Sequence, residues 1–141
     1  MTAEAAFDWI SDPAQYHLFK GAGPIPGIAS VSNDGAPRHE GQVDRVTNTD
    51  GSEHQETVMA VDRPARYQVR IEDFPLPPAL IVDHMDETWE FASHSEGVAI
   101  TRTFVICYRN NAVAWLLSPV LRYFMGKAVD RHHAALLKVR S

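Results

Sequence analysis

Apolar and polar positions alternate with a period of two through the middle of the chain, and the period lengthens near residue 112. Tyr67, Val69 and Ile71 interleave with Gln68, Arg70 and Glu72, the pattern of a strand with one buried face. Met85, Glu87, Trp89 and Phe91 share a face over 81–93, as do Ile100, Arg102, Phe104, Ile106 and Tyr108 over 98–108. Farther on, Leu117, Leu121, Phe124, Met125, Ala128, His132, Ala135, Leu136 and Val139 recur at three- and four-residue steps. That spacing predicts one amphipathic helix.

The remaining punctuation completes the plan. Residues 3 to 10 read as a short helix with Thr2 as its cap. Asp12-Pro13 starts a second helix, with Gln15 at the capping-box position and Lys20-Gly21 as its end. Strands are expected at 28–33, 38–48, 53–62, 66–74, 81–93 and 98–108, with turns at Asp50-Gly51 and Ser95-Glu96. A helical turn at 112–117 leads to Ser118-Pro119, read either as a new cap or as a kink in one longer helix. The predicted class is α+β, about six antiparallel strands with helices gathered on one face.

Bulk properties narrow the function. The chain has 141 residues, and one domain spanning 1–141 is the expectation. Its formal net charge of −5 argues against a nucleic-acid partner, which needs a clustered basic face, and none is expected. The one cysteine, Cys107, rules out an internal disulfide and reads as a buried thiol in a reducing, cytoplasmic setting. No stretch approaches the ~18 apolar residues of a membrane span, so stable membrane insertion is not expected.

The order of several pieces resembles the START/Bet v 1-like (SRPBCC) superfamily, in particular its bacterial polyketide cyclase/dehydrase and lipid transport members. These pieces are Phe7-Asp8-Trp9-Ile10-Ser11-Asp12-Pro13, Gly41 to Arg45, Asp50-Gly51 with Glu56, Asp62-Arg63-Pro64 with Arg66, Thr88-Trp89-Glu90, Gly97 to Thr103, and Ala134 to Lys138. The resemblance implies a helix-grip fold: a curved antiparallel sheet around the long C-terminal helix, with a cavity for an apolar small molecule between them. Members usually begin with a strand that here has no counterpart before Phe7. Its absence would leave 98–108 as an open edge; either the gene start lies upstream or another chain covers the edge, and a homodimer through it is the expectation.

A two-residue turn at Ser95-Glu96 sets Trp89 opposite Arg102, with Glu87 diagonal to it. Glu87, Arg102 and His132 are then the polar candidates for catalysis or for anchoring a ligand. Read structurally, the first two are an ion pair and His132 a core residue; His133 should be exposed. Tyr67, Val69, Ile71, Met85, Trp89, Phe91, Phe104, Leu121, Phe124 and Ala128 are the candidate apolar walls, for each of which plain core is the alternative. The loop Pro75 to Leu80 is a candidate lid. No metal site is expected, because the side chains of Asp83 to Glu87 alternate between strand faces. No cofactor motif is present.

Three readings follow. A carrier of a lipid-, sterol- or polyketide-like molecule needs a mostly apolar cavity with one or two anchors. A polyketide aromatase/cyclase-type enzyme needs Glu87, Arg102 and His132 to converge. A non-catalytic interaction module needs a filled interior.

Overall fold

The structure, a computed structural model, describes residues 1–32 and 38–140. Helix α1 (Ala3–Ser11) starts where Thr2 Oγ1 accepts from the amide of Ala5, and it buries Ala3, Ala6, Phe7 and Ile10. Asp12 ends it and caps a 3₁₀ helix over Pro13–Leu18, accepting from the amide of Ala14 at 2.9 Å. This second helix is tighter and shorter than the sequence pattern implies. Gln15 makes no capping box: its side chain turns inward and donates to the carbonyl of Ile10.

Six strands follow: β1 (Ile28–Val31), β2 (Val43–Asn48), β3 (Glu53–Asp62), β4 (Arg66–Glu72), β5 (Val82–His94) and β6 (Gly97–Tyr108). All pair antiparallel with their sequence neighbours in the order β1-β2-β3-β4-β5-β6, so β1 and β6 form the edges. The expected strand over 38–48 begins only at Val43, because residues 39–41 turn, with Gly41 at φ 83°. The end of the expected 28–33 segment lies outside the described residues.

Helix α2 (Ala112–Arg140) is continuous through Pro119. The short helical turn and the long helix of the sequence pattern are therefore one element. Met125, Ala128, His132 and Leu136 are buried, at four- and three-residue spacing. Leu117 and Val139, expected on the same face, are exposed.

Two apolar clusters lie on the inner side of the sheet. One joins Phe7 and Ile10 of α1 to Val58, Tyr67, Val69, Trp89, Phe91 and Leu136. The other joins Val82, Met85 and Met125, with Ile71, Phe104 and Leu121 packed against them. Together these make the curved sheet and closing helix of a helix-grip fold. Cys107 corrects its expectation: it is exposed, because odd-numbered residues of β6 face away from the helix. The apolar loop before β5 projects Leu76 and Leu80 to solvent.

Candidate functional site

The last hairpin sets the site. A two-residue turn pairs His94 with Gly97, which places Trp89 opposite Arg102 and Glu87 opposite Phe104. Inward-facing residues of β5 and β6 therefore meet below α2, where His132 is 4% exposed.

Arg102 links all three candidates. Its Nε donates to Glu87 Oε2 at 2.6 Å, its Nη2 contacts the same oxygen, and its Nη1 lies 3.1 Å from His132 Nδ1. Guanidinium only donates, so Nδ1 must accept, and the proton of the neutral ring resides on Nε2. Burial, followed by the charge of Arg102, lowers the His132 pKa to about 3, which keeps the ring neutral. Nε2 is itself buried and has no hydrogen-bond partner among the described residues. The guanidinium also lies over the rings of Trp89 and Phe104, 4.3 and 4.8 Å from their centroids. Phe19 closes the other side of His132, ring edge to ring face at 5.4 Å.

The apolar candidates divide between the two clusters. Tyr67, Val69, Trp89 and Phe91 belong to the first; Met85, Ile71, Phe104 and Leu121 border or build the second. Ala128 is fully buried. Phe124 is half-buried and packs on the loop glycine Gly23, where an added Cβ would lie 2.4 Å from its ring. His133, expected in solvent, is half-buried with its ring 6.1 Å from Trp89. The acidic run also needs a correction. A bulge between Val82 and His84 breaks the alternation there and His84 Nδ1 meets Asp83 at 2.7 Å, while Nε2 lies 3.9 Å from Asp86 on the outer face that His84 and Asp86 share by ordinary alternation.

A hollow of about 360 Å³ opens at the rim, not in the middle of the sheet–helix interface. Its walls are the loop from Lys20 to Gly27, the β2–β3 turn and Arg131. Ile25 lines this hollow and also packs against the second apolar cluster. Arg131, beside His132 in sequence, donates to the carbonyl of Gly21 and fixes the loop to α2.

A second polar group escapes the periodicity argument. Asp44, Asn48, His54 and Glu56 are all buried on the inward faces of β2 and β3. Arg38 lies 3.0 Å from Asp44, and the Tyr16 and Tyr67 hydroxyls are 3.4 Å apart. The signal was present in the sequence as polar residues at alternating positions 44, 48, 54 and 56. Without the pairing of β2 and β3, it did not distinguish the buried face from the wet one.

The fold and site are those of a helix-grip domain whose interior combines apolar walls with buried polar chains. The chain belongs to the polyketide cyclase/dehydrase and lipid transport family, whose model matches residues 1–139, and so to the START/Bet v 1-like superfamily. Among solved structures it is similar to protein Ms6760 from Mycobacterium smegmatis, with 15% identity and a TM-score of 0.61 over 99% of this chain and 84% of that one. It is similar to Ara h 8.0201, with 15% identity and a TM-score of 0.58 over 95% and 87% of the two chains. DynU16, a putative protein in the dynemicin biosynthetic locus, matches at 19% identity and a TM-score of 0.53, over 91% of this chain and 42% of that one. Comparison with curated protein sequences finds no match.

Proposed function

We propose that this protein binds and carries an apolar small molecule, lipid-, sterol- or polyketide-like, anchored by one oxygen at His132. The observation that carries the reading is the buried Nε2–H of a neutral His132, without an acceptor, among apolar walls. A buried donor left unpaired costs about 1–3 kcal/mol, which an accepting ligand oxygen would recover. Glu87 and Arg102 hold the ring in the donating tautomer and are positioning residues in this reading. In this reading the rim hollow, whose wall includes Arg131 next to His132 in sequence, serves as the mouth. Family membership supports a fold built for apolar ligands, and the chain is proposed to act as one cytoplasmic domain. No described helix is long and apolar enough to cross a membrane.

Native mass spectrometry of the purified chain tests this. A bound small molecule that is lost in His132→Ala is expected; an exclusively ligand-free spectrum counts against carriage.

The meeting of Glu87, Arg102 and His132 favours a second reading, a polyketide aromatase/cyclase-type enzyme in which Nε2–H polarises a carbonyl. It ranks second because the Nδ1 lone pair, the ring's only basic site, is held by Arg102. Faster cyclisation of a poly-β-ketone probe with the wild type than with His132→Ala would promote it to first.

A further inference from the structure

We propose that Arg38, Tyr16 and Tyr67 form a second polar station that takes a neutral hydroxyl or carbonyl oxygen, so that the ligand is an apolar molecule oxygenated at two places. This inference rests on the anchor reading of His132 above and goes beyond it in naming the substrate class.

Arg38 carries the argument. Its side chain is 3% exposed, yet Nε, Nη1 and Nη2 have no hydrogen-bond partner among the described residues. Its contacts are the charge of Asp44 at 3.0 Å and the face of Tyr16, 5.6 Å from its centroid. A guanidinium with a purely structural role satisfies its donors in a fork to carboxylate or carbonyl oxygens, as the partly exposed Arg70 does with both oxygens of Asp86; Arg38, though buried, makes no such fork among the described residues. Arg38 holds donors ready in the interior, and buried donors call for an acceptor.

The surroundings select the kind of acceptor. Asp44 and Glu56 are each 4% exposed on the same inward face, so an anion would meet two carboxylates against one guanidinium. A neutral oxygen meets no such opposition. Tyr16 and Tyr67 add a matching donor. With their hydroxyls 3.4 Å apart, one hydrogen spans the pair and the other is free to point at a ligand oxygen. Burial raises both phenols, Tyr67 to about 12, so both keep their protons at neutral pH. Burial works against charge on Arg38, but the two tyrosines, Glu56 and Asp44 outweigh it and raise its pKa.

Sheet geometry sets the ligand's span. Glu87 lies on β5 and Asp44 on β2, with Tyr67 on β4 between them. Three strand-to-strand steps of about 4.8 Å separate β5 from β2, so the two oxygens sit up to about 14 Å apart along the sheet.

The test compares decan-1-ol with decane-1,10-diol by calorimetry on the full chain. Arg38→Met is expected to weaken the diol roughly tenfold, the loss of one charge-assisted hydrogen bond, and to leave the mono-alcohol within about twofold. Tyr16→Phe keeps the ring under Arg38 and removes one hydroxyl. It should discriminate in the same direction, and it replaces the first variant if circular dichroism shows Arg38→Met unfolded. Equal effects on both alcohols, or no effect on either, overturn the second station alone. If the wild type binds neither alcohol, the anchor reading falls and the second station falls with it.

Discussion

Arg102 and His132 meet across the sheet–helix boundary, Nη1 to Nδ1 at 3.1 Å, although thirty residues separate them in sequence. The contact decides what the histidine can do. An imidazole whose Nδ1 faces a guanidinium cannot accept a second proton without placing two cations side by side in a dry interior. His132 is therefore a fixed donor through Nε2 and not a proton shuttle.

That protonation state leaves a signature in acid. Because the folded-state pKa lies near 3, below the ordinary 6.5, the unfolded chain takes up a proton at His132 that the folded chain refuses. The stabilising contribution is fully present above pH 6.5 and is lost as pH falls from 6.5 toward 3. Its slope is about 1.4 kcal/mol per pH unit, or about 2 kcal/mol between pH 6.5 and 5. Urea unfolding at the two pH values should show His132→Gln losing less stability than wild type by about that amount. Nitrogen NMR should find the Nε2–H tautomer still in place at pH 5. Identical pH slopes for the two proteins would contradict the geometry.

Glu87 and Arg102 should behave as a unit. Removing one partner strands the other charge in a nearly dry site, since their side chains are 11% and 6% exposed. Arg102→Met alone should cost about 3–5 kcal/mol. Glu87→Leu with Arg102→Met should cost less than the sum of the single changes by about 1–3 kcal/mol. Additive costs in a denaturation cycle would mean the pair is solvated and not part of a closed polar chain.

These three residues were legible in the sequence because one tight turn fixed their register. Ser95-Glu96 determines Trp89 opposite Arg102, and α2 periodicity places His132 on the buried face. The α+β plan was readable from periods of two and then of 3.6, and the helix-grip arrangement was what the family resemblance implied. What was not readable depends on contacts distant in sequence. Arg38, Asp44 and Glu56 gave no signal of burial in the sequence, because nothing local marks that face as buried; in the fold the Tyr16 ring of the 3₁₀ helix lies under Arg38 and its hydroxyl meets that of Tyr67. His133 was assigned to solvent by the helical wheel, yet Trp89 is wide enough to reach the flank of α2. Phe124 was assigned to the sheet side, whereas Gly23 offers a side-chain-free surface that its ring occupies. Cys107 was judged by the apolar character of its strand and not by its parity.

The edge formed by β6 yields a prediction about assembly. No described strand pairs with its outer side, and Ile100 and Val105 on it are 42% and 61% exposed. An open edge of twelve residues invites pairing with another chain, and a homodimer through it is the proposed arrangement. Light scattering at increasing protein concentration should show a shift from one to two chains. Hydrogen exchange should slow in β6 over the same range, while the opposite edge, β1, stays unchanged. A mass of one chain at all concentrations up to about millimolar would end the proposal.

Trp89 tests whether the interior around the site is packed or hollow. Its side chain joins the first apolar cluster, it is 5% exposed, and its ring supports the Arg102 guanidinium at 4.3 Å. A ring in such surroundings should cost about 3–5 kcal/mol when cut to alanine. Part of that loss comes from the cation–π contact, about 2 kcal/mol when desolvated. Trp89→Leu should restore most of the apolar packing but not the contact with Arg102, and so lose roughly the cation–π share. If alanine costs less than about 1 kcal/mol in chemical denaturation, the ring lines open space instead of core. Binding room would then lie directly beneath Arg102, and the rim hollow would be a side feature.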